Sequence, residues 1–112
     1  MTALLFATKY ENIRSAETLI INGADINSKG KSNKTLLHYA AKENAKSIVD
    51  LLISHKIDVN AKDNKGKTAL HIAAEFNFKA IAIRFVSHGC NINDKDIDGH
   101  TALHYSTINN YK

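Results

Sequence analysis

The chain has 112 residues, one domain's worth, with 44% hydrophobic and 23% charged residues, an ordinary mix for a soluble globular protein. No apolar run approaches a membrane span, and a single cysteine, Cys90, excludes an internal disulfide framework and fits a reducing, intracellular compartment. A net charge of +4 and a pI near 9.2 fall short of the basic density of a dedicated nucleic-acid binder.

Thr2, Thr35, Thr68 and Thr101 stand 33 residues apart, and most of the residues after each threonine recur at the same offset. The first unit, 2–34, opens on Thr2-Ala3-Leu4-Leu5-Phe6-Ala7, a loose copy of the pattern, too short and without the basic flank of a secretory leader. In the second unit, 35–67, Thr35 offers its hydroxyl as an N-cap, and Leu37, Ala40 and Ala41 fall on one helical face. Asn44 marks the stop of that helix, in the left-handed conformation such stops use. Ile48, Leu51 and Leu52 then define the face of a second helix ending near Lys56, in the column of Gly23 and Gly89. A lysine in a left-handed position costs roughly 1 kcal/mol relative to glycine, so repeat two is expected to close its second helix differently.

The third unit, 68–100, repeats the layout through Thr68, Leu70, Ala73, Ala74 and Asn77. It inverts Asp50-Leu51 to Ile83-Arg84: either Arg84 snorkels and leaves Ile83 exposed, or the helix rotates to bury Ile83. A partial fourth unit, 101–112, holds only a first helix, expected to fray or to be held by packing on repeat three. The polar stretches 28–34, 61–67 and 94–100 read as loops or hairpin fingers. If the units stack, Leu37, Leu70 and Leu103 should occupy equivalent surroundings, and the missing polar caps imply either a fragment of a longer array or a product whose caps come from a partner.

Thr-x-Leu-His-x-Ala-Ala, a helix, Gly-Ala-Asp-Ile-Asn or its variants, then Asp-x-x-Gly-x-Thr, resembles the ankyrin repeat across nearly the whole chain. The family's proline after the threonine is replaced by Leu36, Ala69 and Ala102, which weakens helix initiation without changing the fold. The resemblance implies an all-α solenoid of stacked helix-turn-helix units with projecting hairpin loops. It also implies a non-enzymatic scaffold that binds another protein. Within it, the histidine three residues after Thr35, Thr68 and Thr101 bonds back to that threonine and ties neighbouring loops, which gives His38, His71 and His104 structural roles.

Metal binding by that histidine column is excluded by spacing, because packed helices lie ~8–10 Å apart and ligand distances are ~2 Å. His55 and His88 suit solvated helix ends, and His88 with Cys90 makes at most half a zinc site. Gly30-Lys31-Ser32 and Gly66-Lys67-Thr68 mimic the end of a phosphate-binding loop, but Asp25 and Ala61 stand where its first glycine belongs. No catalytic grouping, cofactor site or small-molecule substrate is read from the chain. Asn33-Lys34-Thr35 has a glycosylation form that the helix-starting role of Thr35 explains better. Asn27, Asn60 and Asn93 are read as scaffold, bonding to a turn's backbone.

In the resembled family the fingers and first helices form a concave binding face. The two residues after Ala-Ala supply contacts, here Lys9 and Tyr10, Lys42 and Glu43, Glu75 and Phe76, then Ile108 and Asn109. Tyr10 and Phe76 are the candidate anchors, since aromatic rings carry much interface energy. On the fingers Lys29, Lys62 and Lys95 form one column, and Lys34, Lys67 and His100 another. Repeats one and two carry 5 and 6 basic residues against 3 and 4 acidic ones, whereas repeat three has 3 against 4, with Asp94, Asp96 and Asp98 in its finger. The alternative reading, nucleic-acid or polyanion binding through the basic columns, is disfavoured by that acidic finger and by the lack of interleaved aromatics.

Overall fold

The computed structural model describes residues 2–110, with side chains over 3–106. The described residues form seven α-helices: α1 Thr2–Lys9, α2 Ile13–Ile21, α3 Leu36–Lys42, α4 Lys46–Ser54, α5 Ala69–Glu75, α6 Lys79–Ser87 and α7 Ala102–Asn110. A short 3₁₀ turn spans Lys31–Asn33, and the described residues contain no strand. Inner helices α1, α3, α5 and α7 pack in file, each on the next, and outer helices α2, α4 and α6 form a second file behind them. The result is elongated, 42 Å by 24 Å by 22 Å, as a linear array of layers requires.

Each first helix starts on its threonine. Thr35 and Thr68 are extended N-caps (ψ 172 in both), and each hydroxyl accepts the backbone N–H three residues on. Small residues then let the layers approach: Ala40, Ala41 and Ala73 are fully buried between helices. The stops follow from backbone handedness. Asn44 and Asn77 take the expected left-handed conformation, and so does Glu11 in the same column, which its side chain did not announce.

The second helices close alike in all three repeats, contrary to the expectation for repeat two. Lys56 has φ 64, and Ile57 N–H bonds to the Leu52 carbonyl at 3.2 Å, matching Ala24 to Leu19 at 3.0 Å and Cys90 to Phe85 at 3.1 Å. Lysine therefore accepts the strain that glycine avoids in the other two. The buried face of α4 is Ile48, Val49 and Leu52, with Leu51 only half-buried, so the helix is turned slightly from the expected face. Arg84 reaches back to Asp50 on the preceding outer helix at 2.7 Å and leaves Ile83 65% exposed, the first of the two arrangements weighed for that pair.

Between layers the fingers join by backbone bonds, Asn64 N–H to the Ser32 carbonyl and Ile97 N–H to the Lys65 carbonyl, both at 2.9 Å. The repeated asparagines act across layers and not within their own turns. Asn27 accepts the Asp58 N–H at 3.2 Å and Asn60 accepts the Asn91 N–H at 2.7 Å, while the local turns are made by Asp25, Asp58 and Asn91. The first helix of unit four is held on repeat three, through α5 and a hydrogen bond from the Tyr105 hydroxyl to Asp96. Leu37 and Leu70 are buried, but Leu103 is 73% exposed, so the leucine column is not equivalent throughout. In the inner layers the unit's own second helix covers that leucine, and residues 101–110 supply only a first helix.

Candidate functional site

The site rests on a rigid frame whose polar groups are consumed by the fold. His38 Nδ1 accepts the Thr35 N–H at 3.1 Å and lies 2.9 Å from the Thr35 hydroxyl. Its Nε2 stands 2.7 Å from the Lys67 carbonyl, which can only accept, so the proton sits on Nε2. His71 repeats the arrangement with Thr68 and, at 2.9 Å, with the carbonyl of His100. Burial holds His38 below the ordinary imidazole range, partly opposed by its bond to Lys67. His104 departs from this role. Its ring is exposed and stacks on His100 at 3.9 Å, and the finger whose carbonyl it would reach is not among the 112 residues.

Against this frame, the tips and bases of the first two fingers, 28–34 and 61–67, face α3 and α5 across a groove of about 300 Å³. Lys34, Lys42, Lys67, Glu75 and Phe76 all line it, so five of the residues chosen from sequence converge there. Phe76 is 46% exposed and is stacked on Phe78, with centroids 5.8 Å apart. Lys67 is no free finger cation: its ammonium bonds Glu75 at 2.8 Å and lies 5.1 Å from the centre of the Tyr105 ring. Its pKa is raised, with burial opposing and the Glu75 partnership prevailing.

The other chosen residues lie elsewhere. Tyr10 is 71% exposed and stacks on Phe6 at 6.4 Å, two layers from Phe76, beside a separate hollow between α1 and α2; Lys9 is exposed next to it. Glu43 and Lys95 are exposed without being drawn into the groove. Lys29 donates to the Lys62 carbonyl at 3.3 Å and Lys62 lies 3.9 Å from Asp94, so that ladder is partly committed to the next finger. Ile108 and Asn109 have side chains outside those described.

Sequence reasoning passed over Ser32, Asn64, Lys65 and Ile72, which also line the groove. Their signal is variation, since Phe6, Tyr39 and Ile72 change within one column while Ala7, Ala40 and Ala73 in the next column do not.

Asp96, Asp98 and His100 bring ligand atoms within 4.8 Å of one another. Asp96 is committed to structure: one oxygen accepts the Asp98 and His100 N–H groups at 3.0 and 2.9 Å, and the other accepts the Tyr105 hydroxyl. Burial raises its pKa, but these bonds outweigh it and hold the carboxyl below its usual range. Asp63 makes the same turn one finger earlier, which explains both acids without an ion. Burial pushes the Tyr105 hydroxyl up to about 12 and the Cys90 thiol up to about 11, so neither is a nucleophile at neutral pH.

A file of helix pairs with projecting fingers, bound layer to layer by Thr–His clamps, defines a helical-repeat solenoid. The family model for ankyrin repeats in 3 copies matches residues 4–96 and again residues 37–112, and the chain belongs to the ankyrin-repeat family. Ankyrin repeats are generally protein–protein interaction modules and typically not enzymes. Among curated proteins none matches the chain significantly. No helix of the described residues is long and apolar enough to cross a membrane.

Proposed function

We propose that the chain is a non-enzymatic scaffold that binds another protein through the groove between its first two fingers and the inner helices α3 and α5. The half-exposed ring of Phe76, fixed against Phe78 at the edge of that groove, carries this reading. A rigid aromatic contributes contact area at little cost in conformational entropy, and anchors of this kind dominate interface energies. Tyr10 with Phe6 forms a secondary apolar contact two layers away. The basic columns give weaker support to a polyanion ligand, because Lys67 is paired, Lys62 faces Asp94, and Asp98 adds negative charge farther along.

The test is selection of binders from a displayed random-peptide library, mapped by hydrogen exchange and by loss of binding to Phe76→Ala. Binders that protect α3, α5 and the facing fingers are expected. Binders that instead map to α2, α4 and α6, and are indifferent to Phe76→Ala, would refute the proposed face.

A further inference from the structure

The repeat register allows one layer of the groove to be compared with the next at identical positions. Lys67, at the base of the second finger, and Glu75, on α5 of repeat three, form an ion pair at 2.8 Å on the groove wall. The residues 33 positions earlier are Lys34 and Lys42, so the preceding layer keeps the base and replaces the acid with a second base. Both lysines line the same groove, and neither is among the ion pairs of the described residues. Four lysines line the groove, Lys34, Lys42, Lys65 and Lys67, against two carboxylates. Of those two, Glu75 is engaged by Lys67, and Asp63 is buried with one oxygen accepting the Lys65 and Lys67 N–H groups at 2.9 and 3.0 Å. The excess positive charge therefore lies at Lys34, Lys42 and Lys65, beside the apolar face of Phe76.

Resting on the scaffold reading above, the geometry points to a partner segment bearing an acidic side chain next to an apolar one. Its carboxylate binds between Lys34 and Lys42, doing for Lys34 what Glu75 does for Lys67 one layer later, and its apolar neighbour packs on Phe76. Like charges placed together raise the energy of the free protein, and an incoming carboxylate relieves that repulsion as it binds, which favours acidic partners over neutral or basic ones. A nucleic-acid strand fits less well. It needs a continuous cationic track, and beyond this groove Lys62 lies against Asp94 while Asp98 stands exposed on the third finger.

Peptides selected on the wild-type chain are sequenced, and the best is measured by fluorescence anisotropy against wild type, Lys42→Glu and Phe76→Ala. Asp and Glu are expected to be enriched among the selected peptides. Lys42→Glu rebuilds the acid–base pair of repeat three, so its thermal stability is expected to hold or rise while peptide affinity falls about tenfold. Replacing the peptide's acid with its amide should produce a similar loss on wild type and little change on Lys42→Glu. Groove-bound peptides without acidic enrichment, or equal affinity of the acid and amide forms, overturn this inference and leave the scaffold reading standing; peptides bound elsewhere overturn both. Tighter binding of single-stranded or duplex nucleic acid than of any selected peptide, at ~150 mM salt, also overturns it.

Discussion

Leu37 and Leu103 occupy one column of the repeat yet differ from fully buried to 73% exposed, so the same substitution should have different costs at the two sites. Leu37→Ala removes a side chain enclosed by α3, α4 and the neighbouring layers and leaves a cavity, for an expected loss of ~3 kcal/mol within the ~2–5 kcal/mol range for such deletions. At Leu103 roughly a quarter of the side chain is covered and no enclosed cavity can form, which leaves ~0.5 kcal/mol from transfer alone. A loss of ~3 kcal/mol is a large share of the ~5–15 kcal/mol that a domain of this size holds. Urea unfolding followed by far-ultraviolet circular dichroism, with both variants at one protein concentration, separates the two. If Leu103→Ala costs as much as Leu37→Ala, something covers α7 in solution, and the assignment of Leu103 to an uncovered face of α7 is wrong.

Three further outcomes rest on backbone and proton positions. Lys56→Gly should stabilise the chain by ~1 kcal/mol, because φ 64 is strained for lysine and free for glycine; a thermal melt that falls or stays unchanged contradicts that assignment. Gly66→Ala should cost more than Gly99→Ala although both have positive φ, since a Cβ at Gly66 meets the Ile97 nitrogen at 3.1 Å and the Asp96 Cα at 3.2 Å, while one at Gly99 meets nothing within 4 Å; equal urea midpoints would contradict it. His38 has a lowered folded pKa, so its contribution is fully present above the unfolded value of 6.5 and is lost as pH falls through the folded value, because the unfolded chain takes up the proton first. The loss should run at up to ~1.4 kcal/mol per pH unit, and stability measured at several pH values should show that component missing in His38→Gln.

The features that were legible in the sequence are those a residue type enforces by itself. Threonine capped α3 and α5, alanines allowed close layers, asparagine marked two of the left-handed stops, and glycine marked the ends of α2 and α6. Misreadings arose where neighbours decide. Glu11 and Lys56 take left-handed backbones because the stacked layers impose them, against their own preference. Asn27 and Asn60 were read as bonding a turn's backbone, but not whose turn, because a sequence does not show the N–H presented by the next layer. Leu103 carried the same letter as Leu37, but burial belongs to what covers a residue, and that is a property of the following helix.

The candidate site was half legible for a related reason. Column arithmetic put Lys34, Lys42, Lys67, Glu75 and Phe76 on one face, and the structure gathers them around one groove. The same arithmetic treated Lys34 and Lys67 as equal rungs of a cationic ladder. What separates them is the partner, because Lys67 is neutralised by Glu75 on the next helix and Lys34 has Lys42 at the equivalent position. A repeat protein can vary such surface positions freely because the frame does not depend on them. The Thr–His clamps, the cross-layer asparagines and the finger-to-finger backbone bonds hold the layers whichever residues line the groove. Exchanging one acid for a base therefore alters what the surface attracts while leaving the stack that presents it intact.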